Sequence, residues 1–246
     1  MRLYDEIIRD ILTFLGEQDA HILPVGAAAD PVSRDWQDAG KAMMILQSDM
    51  AYELGGHNLP AVGNTLVTTG KDFVPEDEII LIGKDLPEIT EDTPYARIAL
   101  VRVAEDSIGT GDRLYNTIRN IGYFRYHIYP KGFMLRVSSS NDRESVRVEA
   151  EALNEGLNFT AIGNAMLRAL HLHKEVEAVK IIFVTDPKVD YGRLQDGLKK
   201  TKQITATIDH MLKDVNMDCG SCGLQEICDE IEGLREMHFG MSEEHT

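Results

Sequence analysis

Cys219, Cys222 and Cys228 are the only cysteines of this 246-residue chain, and they fall within one ten-residue window. Their spacing is C-x2-C-x5-C. Two cysteines separated by two residues can aim both sulfurs at one ion, and the Gly220-Ser221 turn between them leaves backbone room and N–H groups for the thiolates. Cys228 opens an expected closing helix, Asp229 to Met237, so its sulfur would lie at a helix start, where the dipole favours the thiolate. Asp214, Asp218, Glu226, Asp229, Glu230 and Glu232 surround the three sulfurs in sequence. A bound cation would relieve that accumulation of negative charge. The chemistry implied is a metal centre, either zinc or a 4Fe–4S cluster, and both ordinarily want a fourth ligand. His238 is the nearest candidate in sequence. His210, Asp218, a distant residue or a second subunit are others, and an iron left open to water or substrate is a further possibility. Two other readings stay open, a reduced pair plus one buried cysteine without metal, and a dithiol redox pair. An odd, clustered set does not read as a disulfide framework.

A second group is cationic. Arg125, Lys131, Arg136, Arg143 and Arg147 make residues 125–147 the most basic stretch of an acidic chain. If these arginines share a sheet face, they form a cradle for an anion such as a phosphorylated cofactor. The bland alternative is a solvated strand face. Ser107-Ile-Gly109-Thr-Gly111-Asp112 sits between an expected strand and an expected helix, where backbone N–H groups can meet phosphate. It lacks the third glycine of the dinucleotide fingerprint and the Lys-Ser/Thr of a P-loop, so a turn capped by Asp112 is the simpler reading. His171 and His173 point about 200° apart on a helix and cannot easily chelate one ion. No Ser-His-Asp order, H-E-x-x-H or paired-carboxylate motif is visible, which is weak evidence because catalytic residues need not be close in sequence.

The elements that must position these residues follow from hydrophobic periodicity. Leu3, Ile7, Ile8, Ile11, Leu12 and Leu15 recur at helical spacing through residues 2–16. A second helix is expected from Arg34 to Leu54, its methionines filling core gaps. The Gly-, Asn-, Pro- and Thr-rich stretch from Gly56 to Gly70 reads as a loop, and a soft boundary is placed there. Strands are expected at 78–82, 96–103, 123–129, 133–137, 143–148 and 179–184, with 123–129 and 133–137 forming a hairpin around Pro130-Lys131-Gly132. In the 143–148 strand, Arg143, Ser145 and Arg147 take one face and Glu144, Val146 and Val148 the other. Helices are expected at 112–120, 160–173 and 191–214. The organisation is a helical N-terminal region (1–70) packed on the core, a mixed α/β domain (71–214), and a Cys-rich segment (215–246) ending in a short helix. The fold class is α/β or α+β, with a mixed sheet and flanking helices.

Composition limits the function. With 25 basic against 41 acidic residues the net charge is −16, and such a chain repels nucleic acid and anionic membranes unless it carries a local basic patch. No apolar run reaches the roughly eighteen residues that span a bilayer. The first fourteen residues interleave acids with apolar residues and do not read as a signal peptide, so a cytoplasmic location is expected.

Four segments carry a resemblance: Cys219 through His238, Ser138 through Val148, Glu155 through Phe159, and Val179 through Pro187. Together they resemble the acetyl-CoA synthase (CO dehydrogenase/acetyl-CoA synthase beta subunit) family, over roughly the second half of the chain. The family enzyme joins CO, a corrinoid-borne methyl group and CoA on a nickel–iron–sulfur cluster held by a group of four cysteines and a separate C-x-C pair. This chain has neither set. The resemblance therefore implies relatedness to a non-catalytic domain, with acetyl-CoA synthase activity itself not expected. It implies an accessory, binding or electron-transfer role in one-carbon metabolism, CoA as a candidate ligand, and protein partners of CO dehydrogenase/acetyl-CoA synthase type.

Overall fold

The computed structural model describes residues 3–26, 37–38, 44–105, 112–138 and 143–213. The chain opens with α1 (Asp5–Gly16), which turns Ile7, Ile8, Ile11, Phe14 and Leu15 into the core. The strands are β1 (Ala20–Leu23), β2 (Gln37–Asp38), β3 (Met50–Leu54), β4 (Ala61–Thr68), β5 (Glu78–Ile82), β6 (Tyr95–Val103), β7 (Ile128–Tyr129), β8 (Phe133–Val137), β9 (Glu144–Glu149) and β10 (Val176–Val184). The later helices are α2 (Asp112–His127), α3 (Ala150–Asn154), α4 (Phe159–Leu170) and α5 (Tyr191–Lys213).

The larger sheet has the order β1-β5-β10-β6-β4. β10 runs parallel to β5 and antiparallel to β6, while β4 runs parallel to β6 and β1 antiparallel to β5. This is the mixed sheet read from the sequence. Every residue of β6 is buried, as befits a strand covered on both faces. One face of the sheet meets α5, on which α1 packs, with Ile7 and Ile11 against Gly197. The opposite face meets α4 and the smaller sheet, ordered β3-β9-β8, and Phe183 of β10 stacks on Phe159 of α4 at 4.5 Å between ring centres. The protein is thus three-layered, with its core continuous from α1 to β9.

Three sequence expectations fail. The helix expected over 34–54 does not hold at its end, because Met50–Leu54 is a strand paired antiparallel with β9. The loop expected from Gly56 to Gly70 contains β4, an eight-residue strand. Its loop-like residues have packing roles instead. A side chain at Gly63 would collide with the Glu144 carboxylate, and buried Asn64 donates from Nδ2 to Thr201 Oγ1 of α5 at 3.1 Å. Third, Tyr123 to His127 continue α2 rather than forming a strand. Their aromatic content favours a strand locally, but the helix begun at Asp112 carries through them. The turn after β7 does form, with Phe133 N–H donating to Pro130 O at 3.0 Å, yet the ladder of β8 runs to β9 and β7 pairs with β2. No helix among the described residues is long and apolar enough to cross a membrane.

Candidate functional site

Alternation along β9 sorts its residues as expected. Glu144, Val146 and Val148 are buried, while Ser145, Arg147 and Glu149 lie half-buried on the outer face. The inward Glu144 meets Arg97 of β6 in a two-pronged pair, Nε to Oε1 at 2.6 Å and Nη2 to Oε2 at 2.7 Å, with both side chains essentially inaccessible. Arg97 Nη1 also donates to Thr65 Oγ1 at 3.3 Å. Burial alone would loosen the proton on Arg97, but the facing Glu144 outweighs it and holds the guanidinium above its ordinary value. This pair ties the smaller sheet to the larger one.

The outer face collects three arginines. Register places Arg147 opposite both Glu53 of β3 and Met134 of β8, and Arg136 opposite Ser145. Side chains in directly opposed and diagonal positions meet on one face. Arg147 Nε and Arg136 Nη1 both donate to Glu53 Oε1, at 2.6 and 2.8 Å. Arg147 Nη1 reaches Ile45 O at 3.1 Å. Arg143, just before β9, donates from Nη2 to Gly55 O at 2.8 Å and to Leu59 O at 2.7 Å, pinning the connection between β3 and β4.

That connection is built for a tight path. Gly55 has a φ of 64°, and a Cβ there would lie 2.6 Å from Ala61 Cβ. His57 also occupies the left-handed region, at a φ of 49°, a conformation that costs a non-glycine residue energy. Its Nδ1 stands 3.6 Å from Asp92 Oδ2. Between this turn and the arginines lies an open basin of about 320 Å³, lined by Gly55, Gly56, His57, Arg136, Arg143 and Ser145, with Glu53 at its edge. Two guanidinium groups paired with the Glu53 carboxylate and a third, Arg143, held only by backbone carbonyls give this cluster more positive than negative charge, on a chain whose net charge is −16. Arg136 is 45% exposed and so open to an incoming anion.

The arginines expected to act together are therefore partly assembled. Arg136, Arg143 and Arg147 converge, whereas Arg125 belongs to α2 and not to this sheet, and its side chain is outside the described residues. Glu53 was missed, because its segment reads as helix and nothing in the local sequence marks it as the carboxylate between two arginines. Cys219, Cys222, Cys228, His238 and Asp218 lie outside the described residues, as does the Ser107–Gly111 turn. Among the described residues no group of three or more His, Cys, Asp or Glu is placed to hold a metal ion. His210 falls on α5. His171 caps the end of α4 and its Nε2 lies 2.8 Å from Asp77 Oδ2, a link that Asp77 extends by accepting Val179 N–H at 2.8 Å.

A family model for the CO dehydrogenase/acetyl-CoA synthase complex beta subunit matches residues 37–189. The chain belongs to this family. The match runs from β2 to just past β10, so it includes Glu53, all three converging arginines and the Arg97–Glu144 pair. It begins nearer the N-terminus than the sequence resemblance reached, and it stops before the cysteines. No curated protein gives a match to the chain. The nickel–iron–sulfur cluster that the family resemblance implies does not fit this chain, whose three cysteines cannot supply its ligand set.

Proposed function

We propose that the chain is an accessory member of the family that binds the phosphate-bearing part of a CoA-like cofactor on the arginine face. The observation that supports this reading is the convergence of Arg136 and Arg147 on Glu53 Oε1, with Arg143 held on the same face by the carbonyls of Gly55 and Leu59, beside a basin rimmed by the Gly55–His57 turn. Guanidinium groups held by neighbouring oxygens are pre-positioned, so less ordering is lost when phosphate arrives. Protein partners of CO dehydrogenase/acetyl-CoA synthase type would then receive or supply the bound cofactor, placing the chain in one-carbon metabolism. Calorimetric titration of CoA into the full chain tests this. Saturable binding that falls roughly tenfold or more in Arg136→Ala, a loss of about 1.4 kcal/mol, is the expected result. Binding that is absent, or untouched by that substitution, refutes it.

A second reading concerns the C-terminal cysteines and is favoured by their spacing. Cys219, Cys222 and Cys228, with His238 as the candidate fourth ligand, would carry a 4Fe–4S cluster or zinc, giving the protein an electron-transfer or structural site. Anaerobic purification followed by metal and sulfide analysis is expected to return stoichiometric iron with sulfide, or stoichiometric zinc. Cys228→Ala should deplete either. A folded wild-type protein free of metal would end this reading.

A further inference from the structure

Gly122 is a glycine in the interior of a sixteen-residue helix, α2. Glycine there weakens a helix relative to alanine and is ordinarily retained for close packing or a positive φ. Neither applies. Among the described residues, a Cβ built on Gly122 meets nothing within 4 Å, and its φ is not positive. What lies in front of it is a groove of about 470 Å³ between α2 and α5, within the roughly 300–1,000 Å³ typical of small-ligand sites.

The floor of this groove is the edge strand β4, at Asn64 and Thr65. It is fixed from both sides, since Asn64 is tied to Thr201 on α5 and Thr65 accepts from buried Arg97. Such a floor is rigid before any ligand arrives. Along α2 the wall offers the Tyr115 ring and Ile118, and Arg119 holds its guanidinium 6.0 Å from the centre of that ring. Along α5 it offers Leu198 and then Lys202, so a cationic side chain stands on each wall, and Asp209, also on α5, is the one acid among the described lining residues. An apolar and aromatic interior flanked by two cations is the complement of an organic phosphate with an aromatic or apolar body.

We propose that this groove is a second ligand site, separate from the arginine face, that takes an organic phosphate whose ring lies across Tyr115 and Ile118 while its phosphate meets Arg119 and Lys202. The missing side chain at Gly122 is what leaves the entry open. The proposal does not rest on CoA binding at the arginine face.

Calorimetric titration of the full chain with AMP, phenyl phosphate and inorganic phosphate tests it. Saturable binding of AMP or phenyl phosphate, with inorganic phosphate weaker, is expected. Gly122→Leu should weaken that binding at least roughly tenfold while its thermal midpoint stays at or above the wild-type value, because leucine is the better helix former. Lys202→Gln should weaken it as well, independently of the helix. Arg136→Ala should leave it unchanged. Absence of binding by both aromatic phosphates overturns the proposal. So does undiminished binding in both Gly122→Leu and Lys202→Gln, or a loss that follows Arg136→Ala instead.

Discussion

Asp85 shows how much one side chain can organise. Its Oδ1 accepts the N–H of Leu86 at 2.6 Å, opening a short 3-10 turn (Leu86–Glu88), and the N–H of Phe159 at 2.8 Å, the first residue of α4. Glu88 returns a bond to the Asp85 N–H at 2.9 Å, completing a capping box. Burial pushes the Asp85 carboxyl above its ordinary range, and the two amide bonds pull it back only in part. An acid raised on folding binds its proton more tightly in the native state than in the unfolded chain. Its contribution therefore falls as pH rises from the unfolded value of about 3.9 through the folded one. Asp85→Asn keeps an accepting oxygen and removes the titration. Across that interval the wild type should lose stability relative to Asp85→Asn as pH increases, measured by urea midpoints at successive pH values. Parallel pH profiles would contradict the assignment.

At the scale of elements, legibility followed the strength of the periodic signal. α1 was readable because its apolar residues recur at the helical period, and β5 and β6 because each carries a short, dense run of apolar residues. β9 was readable in finer detail, down to which residues face out, because the polar Ser145 and Arg147 alternate with Val146 and Val148. β4 was not, since Gly63, Asn64 and Thr65 resemble loop residues until their partners on β9, α5 and β6 are known. β3 was lost in the same way, within a run whose methionines suit a helix equally well. The candidate site inherited this division. Its arginines on β8 and β9 were found from charge spacing, whereas Glu53 on β3 and the strained His57 turn become visible only when three strands are laid in register.

Across the whole molecule, the Arg97–Glu144 pair is a fully buried ionic link between the two sheets. Removing one partner strands a charge in the interior and costs about 3–5 kcal/mol, whereas replacing both with apolar residues of similar size costs far less. Arg97→Met and Glu144→Leu are each expected to lower stability by that order, and the double variant to recover most of the loss, in urea unfolding followed by circular dichroism. A double variant as unstable as the two losses summed would mean that the residues act independently. The same pair supports Thr65 at the floor of the α2–α5 groove, so the double variant also reports whether that groove depends on the joint between sheets.

Glu53 has a further consequence for the arginine face. A single oxygen, Oε1, receives both Arg136 and Arg147. An arriving anion thus meets a guanidinium that already has a carboxylate companion, and occupancy becomes an exchange of one oxyanion for another. Affinity then measures the difference between the newcomer and the resident, which favours a doubly charged phosphate over a carboxylate of the same size. The resident also keeps the arginines from repelling one another while the basin stands empty. Glutamate 53 is in effect the protein's own place-holder for the ligand.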